Sequence, residues 1–185
     1  MVGILALQGA FIEHAHCLER LGEKYRFLRK NEDISPDIDR LIFVGGESTT
    51  QRKLLRDLEM FEPLKALIDK GTPVLGTCAG LVLLAETISG REESAFGTLP
   101  AEVCRNAYGR QLGSFSAVGN IGEIENFPMR FIRAPYIKRV LSDKVEVLNE
   151  TDGKITAVRY NNQLGLAFHP ELTEDLRLHE AFLAM

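Results

Sequence analysis

The chain has 185 residues, 45% of them hydrophobic and 26% charged, with a net charge of −4 at pH 7. This length suits one domain around a single core, and the negative charge argues against a nucleic-acid partner, because binding phosphates needs a concentrated basic surface. No apolar run approaches the roughly 20 residues that span a bilayer, so we expect a cytoplasmic protein with no membrane partner and a single domain over residues 1–185.

The first half of the chain alternates between strand and helix patterns, as in an open, mostly parallel α/β sheet with helices on both faces. Residues 2–7 form the first predicted strand, with no signal peptide before it. A helical spacing of apolar residues that ends at Gly22 predicts a helix over residues 11–21. Strands at 25–28 and 41–44 follow, and then an amphipathic helix that ends at Gly71.

A fourth strand at residues 73–75 runs into the sequence Gly-Thr-Cys-Ala-Gly at 76–80, and an apolar helix follows at 81–85. A cysteine between two glycines at a strand-to-helix turn is typical of a nucleophile elbow, which exposes its central side chain above the sheet. The helix N-terminus favours a thiolate at Cys78. The alternative is a buried structural cysteine, the usual state of a free cysteine. The glycine frame favours the nucleophile.

The second half of the chain has a different pattern. Short apolar segments between residues 103 and 132 are broken by glycine, proline and asparagine, which indicates antiparallel strands and long loops. Three closing strands are predicted at 145–148, 157–160 and 164–168, with a hairpin turn at 151–153. A final helix begins at about Thr173. We therefore expect an antiparallel extension of the parallel sheet.

A nucleophilic thiol needs a base and a group that orients the base. His169 follows the predicted strand at 164–168 directly, so it projects from the carboxyl end of that strand, as Cys78 does from its own. Glu171 is two residues further on, and Pro170 favours an extended backbone that puts both side chains on one side. The sequence thus predicts a triad of Cys78, His169 and Glu171. The alternative is a histidine that closes a strand beside a surface glutamate.

The other three histidines are His14 and His16 in the first helix and His179 in the last, and we interpret each as a surface residue. Together with Cys17, the first two raise the possibility of a metal site. Positions 14 and 17 share a helical face that excludes position 16, which disfavours this alternative. Three cysteines at irregular spacing do not form a disulfide framework either.

Two glycines, Gly45 and Gly46, follow the third strand and begin the sequence Gly-Gly-Glu-Ser-Thr-Thr at residues 45–50. Such a pair can be a simple turn. It can also direct backbone N–H groups into a site, and together with the N–H of Ala79 it would form an oxyanion hole. A phosphate-binding loop is disfavoured because the lysine of that motif is missing.

With these residues assembled, the chain resembles the class I (triad) glutamine amidotransferases, and within them the glutaminase subunit of the two-component pyridoxal 5'-phosphate synthase. The matching motifs cover nearly the whole chain, at residues 5–10, 45–50, 76–80, 105–106 with 109–111, 131–135 and 168–172. Val44 and Tyr108 depart from the residues that are usual in the family, proline and phenylalanine, and neither change removes a catalytic group.

The resemblance implies a flavodoxin-like fold and a single glutaminase domain. It makes Cys78 the nucleophile, His169 the base and Glu171 its orienting acid. It also implies a set of residues that hold L-glutamine: Gly46, Glu47, Ser48, Arg105, Ile132 and Arg133. The reaction that it implies is hydrolysis of the side-chain amide through a glutamyl thioester, with no metal or organic cofactor.

The resemblance further implies a partner, a barrel-shaped synthase subunit that takes up the ammonia and raises the glutaminase activity when it docks. Gln8 and Gly9, at the end of the first strand, are the candidates for that activation. Three rival hypotheses remain: an elbow-cysteine hydrolase or stress protein of the DJ-1/PfpI type, a glutaminase subunit that serves another ammonia acceptor, and a non-catalytic docking module. In proteins of the DJ-1/PfpI type the acidic residue of the triad comes from elsewhere in the chain, so the presence of Glu171 two residues after His169 argues against that type.

Overall fold

The computed structural model describes residues 1–90, 94–105 and 113–185. In these residues a ten-stranded sheet forms the centre of the fold and a separate two-stranded sheet lies beside it. The strands are β1 (Val2–Leu5), β2 (Tyr25–Leu28), β3 (Arg40–Phe43), β4 (Val74–Thr77), β5 (Ala85–Ile88), β6 (Leu99–Cys104), β7 (Ser114–Ile121), β8 (Ile124–Ile132), β9 (Tyr136–Val140), β10 (Glu146–Thr151), β11 (Lys154–Tyr160) and β12 (Gln163–Leu166). The helices are α1 (Phe11–Arg20), α2 (Ser48–Asp57), α3 (Phe61–Asp69), α4 (Ala79–Leu84) and α5 (Arg177–Leu183).

The large sheet has the order β2-β1-β3-β4-β12-β11-β9-β6-β5, and β10 pairs with β11 off this path. All neighbours from β2 to β12 are parallel, whereas β11 and β9 are antiparallel to the strands beside them. β7 and β8 form the separate antiparallel pair. This arrangement confirms the predicted parallel sheet with an antiparallel extension, and its first strands have the doubly wound order of flavodoxin-like folds.

Most predicted boundaries agree with the structure to within two residues, and the predicted end signals have their expected geometry. Gly22 and Gly71 follow α1 and α3 with φ of +73° and +89°, the left-handed conformation that ends helices. Asp152 and Gly153 have φ of +51° and +70° in the predicted hairpin turn, as a two-residue turn of this kind requires. None of the helices in the described parts of the chain is long and apolar enough to cross a bilayer. The single domain and the cytoplasmic location stay predictions.

Three boundaries differ from the prediction by more than two residues. β10 continues to Thr151 and β11 begins at Lys154, because the two strands pair as far as the hairpin turn, beyond the predicted 145–148 and 157–160. The final helix begins at Arg177 rather than near Thr173. Thr173 and Asp175 hold the intervening residues in a turn, in which Thr173 Oγ1 donates to the Pro170 carbonyl and Arg177 N–H donates to the Asp175 carboxylate. Side chains that bond to nearby backbone groups compete with a helix in this way.

The elbow at residues 76–80 packs tightly between β4 and β3. A Cβ on Gly80 would lie 1.9 Å from the carbonyl oxygen of Phe43, and one on Gly76 would lie 2.9 Å from the carbonyl carbon of Gly80. Both contacts are with backbone atoms, which cannot move aside as a side-chain end can. The two glycines are therefore required for α4 to begin where it does, as the sequence pattern predicted.

We predict that Gly80→Ala lowers the free energy of unfolding by about 3 kcal/mol, the upper end of the usual cost of overpacking a core. Gly113→Ala is the matched control, since a Cβ there would meet nothing within 4 Å. Urea denaturation of both variants measures the difference. Equal stabilities of the two variants would contradict the close approach of α4 to β3.

Candidate active site

Cys78 occupies the turn between β4 and α4 in a strained conformation. Its φ is +47°, which is uncommon for any residue other than glycine. Two hydrogen bonds hold the backbone there: Cys78 N–H donates to the Leu166 carbonyl at 2.8 Å, and Val82 N–H donates to the Cys78 carbonyl at 3.3 Å. Strain of this kind persists only where the surroundings impose it, and it is common at functional sites.

His169 meets Cys78 because their strands are neighbours. β12 and β4 are parallel, and Leu166 pairs with Thr77, so the two carboxyl ends lie side by side. The backbone N–H of His169 donates to the Arg130 carbonyl at 2.8 Å, which fixes the histidine beside β8. Both side chains border the same cavity. A thiol and an imidazole side by side are the pair that a nucleophile and its base require.

Glu171 lies behind His169, and its side chain is fully buried. Its Oε1 accepts a hydrogen bond from Nδ1 of His169 at 2.7 Å. The predicted extended backbone is wrong here, because Pro170–Leu172 form a 3-10 helix. Proline suits the first position of a helix as well as an extended segment, since its φ fits both. The tight turn still brings the glutamate back to the histidine two residues before it.

Burial and hydrogen bonding set the charges of this pair. Burial alone would lower the pKa of His169, but hydrogen bonds and charge interactions with Cys78 and Glu171 raise it to about 10. Burial alone would raise the pKa of Glu171, yet the neighbouring imidazoles of His14 and His169 lower it overall. We therefore assign an imidazolium at His169 and a carboxylate at Glu171 at neutral pH.

The glycine loop after β3 contacts both members of the thiol-imidazole pair. A Cβ on Gly45 would lie 2.2 Å from Cε1 of His169 and 3.3 Å from Cβ of Cys78, so only glycine fits there. Gln8 holds the next part of the loop, because its Oε1 accepts a hydrogen bond from the N–H of Glu47 at 2.6 Å. The predicted loop thus lies directly beside Cys78 and His169.

A cavity of about 440 Å³ opens above the thiol. Its lining consists of Gln8, Gly46, Glu47, Ser48, Cys78, Ala79, Val82, Arg105, Ile132, Arg133, Pro135 and His169. All six predicted glutamine-binding residues are among them, and so are both oxyanion-hole candidates. Gly9 and Glu171 do not line the cavity. Asn106 and the motif at 109–111 lie outside the described residues.

The cavity is chemically suited to a free amino acid. Arg105 and Arg133 supply positive charge for a carboxylate, and Glu47 supplies negative charge for an ammonium group. Sequence reasoning missed two lining residues, Val82 and Pro135. Val82 was predicted only as part of an apolar helix, and its position one turn after Cys78 was the signal that could have placed it in the site.

The interpretation of His14 and His179 as surface residues is wrong, since both are fully buried, whereas His16 is exposed as predicted. Position 14 lies three residues after Phe11 and four before Leu18, on the apolar face of α1, and that spacing could have indicated burial.

His14 and His16 point to different environments, so they cannot share a metal ion. The described residues contain no group of three His, Cys, Asp or Glu side chains that could hold one.

Comparison with known proteins gives consistent matches over the whole chain. The model of the SNO glutamine amidotransferase family matches residues 4–185. A relative from Desulfitobacterium hafniense, named pyridoxal 5'-phosphate synthase subunit PdxT, is 56% identical over 98% of this chain and 91% of its own. A protein of the same name from Bifidobacterium longum is 50% identical, with both chains fully covered.

Solved structures agree with these sequence matches. A crystal structure described as that of a glutamine amidotransferase superposes with a TM-score of 0.93 at 43% identity, and the match covers 99% of this chain and 97% of the other. A chain of PurLQS from Thermotoga maritima, 18% identical, has a TM-score of 0.67 with 99% and 96% covered, and shares the fold.

We predict that acid destabilises the protein through its buried histidines. Burial lowers the pKa of His14, and it lowers that of His179 to about 3, from an ordinary value of 6.5. Below pH 6.5 these histidines therefore bind protons in the unfolded chain but not in the folded chain. The contribution of the two neutral histidines to the free energy of unfolding is thus complete above pH 6.5 and falls as the pH decreases. A single histidine of this kind contributes a slope of about 1 kcal/mol per pH unit in that window.

Urea denaturation at pH 7 and pH 5 measures this slope. His179→Leu should reduce the loss of unfolding free energy between the two pH values by about 1 kcal/mol. His16→Leu is the matched control, because His16 is exposed on the surface of α1, and it should leave the loss unchanged. The same loss in His179→Leu as in the unsubstituted protein would show that His179 is not held neutral.

Proposed function

Because the chain belongs to the SNO glutamine amidotransferase family, we propose that it is the glutaminase subunit of a pyridoxal 5'-phosphate synthase and hydrolyses L-glutamine to L-glutamate and ammonia. The observation that carries the proposal is that the thiol of Cys78 and the imidazole of His169 line one cavity with charged groups that suit an amino acid, and that the carboxylate of Glu171 is hydrogen-bonded to the imidazole from behind. In this proposal Cys78, His169 and Glu171 are the catalytic triad.

In the first half of the reaction, the thiolate of Cys78 attacks the amide carbon of the glutamine side chain. The carbonyl oxygen becomes an oxyanion, and in this proposal the backbone N–H groups of Gly46 and Ala79 stabilise it. His169 then gives its proton to the departing nitrogen, the carbon-nitrogen bond breaks, and ammonia leaves. A glutamyl thioester remains on the sulfur.

In the second half, a water molecule replaces the ammonia. Neutral His169 takes a proton from this water as it attacks the thioester carbon. The carbon-sulfur bond breaks, the thiolate of Cys78 is restored beside an imidazolium, and glutamate leaves. Glu171 keeps the imidazole oriented and stabilises its positive charge throughout. The sum is glutamine plus water to glutamate plus ammonia, with no other reactant.

The substrate is held by its two charged ends in this proposal. Arg105 and Arg133 attract the α-carboxylate, Glu47 attracts the α-ammonium group, and the uncharged side-chain amide reaches inward to Cys78. Gly46, Ser48 and Ile132 complete the wall that excludes water from the amide.

The partner that we propose is the synthase subunit, which receives the ammonia. Gln8 already holds the N–H of Glu47 in the free chain, and the adjacent Gly9 is exposed at the end of β1. A partner that contacts Gln8 and Gly9 could therefore change the position of the glycine loop through the hydrogen bond between Gln8 and Glu47. The contact of Glu171 with His169 favours this function over a DJ-1/PfpI-type activity, whose acid lies elsewhere in the chain.

We predict that Cys78→Ala lowers glutaminase activity by at least about a thousandfold, because the nucleophile is lost, but leaves binding to the synthase subunit unchanged. Glutamate release in the presence of the synthase subunit measures the first effect, and titration calorimetry between the two subunits measures the second. Cys104→Ala is the control for the loss of a thiol outside the triad. Activity retained in Cys78→Ala would refute the mechanism.

We predict that Arg105→Ala raises the KM for glutamine about 10- to 100-fold with a smaller effect on kcat, because a hydrogen bond between charged groups is lost. Arg105→Lys keeps the charge and should restore part of the affinity. Arg159→Ala removes an exposed arginine of β11 and should leave the KM unchanged. An unaltered KM in Arg105→Ala would remove this residue from the glutamine site.

A further inference from the structure

A row of buried polar side chains continues behind the triad, on the side away from the cavity. Nε2 of His14 lies 3.4 Å from Oε2 of Glu171 and 3.3 Å from Oγ1 of Thr77. Nδ1 of His14 lies 3.0 Å from Nε2 of His179. Both histidines and Thr77 have no exposed surface. Thr77 and His179 contact His14, and His14 lies next to Oε2 of Glu171, the carboxylate oxygen that His169 does not contact. Within the described residues this oxygen accepts no hydrogen bond, so the 3.4 Å approach of His14 is an electrostatic contact.

The hydrogen-bonding capacity of these groups determines which atom is the donor and which the acceptor in each contact of the row. A carboxylate only accepts hydrogen bonds, so the nitrogen of His14 that faces Glu171 must carry the proton. His14 Nδ1 then accepts from the protonated Nε2 of His179. Nδ1 of His179, which is buried without a partner, is left as a bare acceptor. The opposite tautomers would place a lone pair against the carboxylate and bury an unpaired N–H group.

The charges around His14 support its role as a neutral donor. The titratable groups that face the row are Glu13 and Cys17 on α1, His169 and Glu171 beside the 3-10 helix, and His179 on α5. Burial lowers the pKa values of His14 and His179, so neither is a cation at neutral pH. Burial and then the negative charge of Glu171 raise the pKa of Cys17 to about 11, so it stays a neutral thiol.

We infer that His14, oriented by His179, is a positioning residue for the proposed glutaminase reaction: its Nε2–H, 3.4 Å from Oε2 of Glu171, stabilises the carboxylate that orients His169. Without His14, this buried oxygen would have neither a hydrogen bond nor this electrostatic contact in the part of the chain that the structure describes. A buried carboxylate with too few donors favours its protonated form. The protonated acid would no longer stabilise the imidazolium of His169, and the thiolate of Cys78 would lose its cation.

The first test does not depend on glutamine or on the partner. The rate at which iodoacetamide alkylates Cys78 is measured against pH, by mass spectrometry of the peptide that contains it. In His14→Leu, which has a similar volume and no donor, we expect the midpoint of this profile to rise by about one pH unit and the rate at pH 6 to fall about tenfold. His14→Gln, whose amide nitrogen can take the place of Nε2, should restore most of the reactivity.

The second test separates positioning from packing. His14→Asn is the matched polar control, because its amide is too short to reach Glu171. Its alkylation profile should match that of His14→Leu, whereas its melting temperature should equal that of His14→Gln. If His14→Leu does not fold, the comparison of the glutamine and asparagine variants replaces it. With the synthase subunit present, the donor-free variants should lower kcat for glutamine at an unchanged KM.

These measurements distinguish failure of this inference from failure of the proposed function. Alkylation profiles that are the same in all variants overturn the positioning role, whichever reaction the thiol performs. Equal losses in His14→Gln and His14→Asn overturn it as well, because they indicate packing alone. A shifted alkylation profile without any glutaminase activity in the unsubstituted protein would support the positioning of His169 and refute the proposed substrate.

Discussion

The architecture of the site depends on backbones that approach more closely than side chains would allow. The Phe43 carbonyl at the end of β3 takes up the space beside Gly80 that a Cβ would need, and Gly45 lies against the imidazole of His169 in the same way. The carbonyl of Gly45 in turn occupies the position of a Cβ on Gly9. Because the contacts of Gly80 with Phe43 and of Gly9 with Gly45 are between backbones, the elbow, the glycine loop and the turn after β1 cannot move independently.

A buried negative charge is the second constraint, and it explains the surroundings of the triad. An isolated carboxylate with the burial of Glu171 would be costly, so it must be hydrogen-bonded by groups that stay in place. The fold brings one imidazole to each of its oxygens, from the loop after β12 and from α1. The carboxylate, hydrogen-bonded to His169, helps to raise the pKa of that imidazole, so His169 is charged at neutral pH.

The sequence was most informative where chemistry and backbone geometry require the same residue. Glycine on both sides of Cys78 predicted the elbow, and a histidine directly after a strand predicted its partner, because parallel strands end at one edge of the sheet. Burial of His14 and His179 was missed, because a histidine in a helix is usually exposed and the partner of each is distant in sequence. The extended form of the segment at Glu171 was wrong for a similar reason, since proline permits two backbone forms and tertiary contacts select one.

The row of side chains from Cys78 to His179 is open to the cavity at one end only. Cys78 and His169 border the cavity, whereas Glu171, His14 and His179 are enclosed by protein. A proton can therefore enter or leave the row only through the cavity. In the proposed reaction glutamine fills this cavity, so the row would exchange protons with the substrate rather than with bulk solvent. His14 and His179 would then keep the same number of protons throughout, and His169 alone would lose and regain one in each cycle.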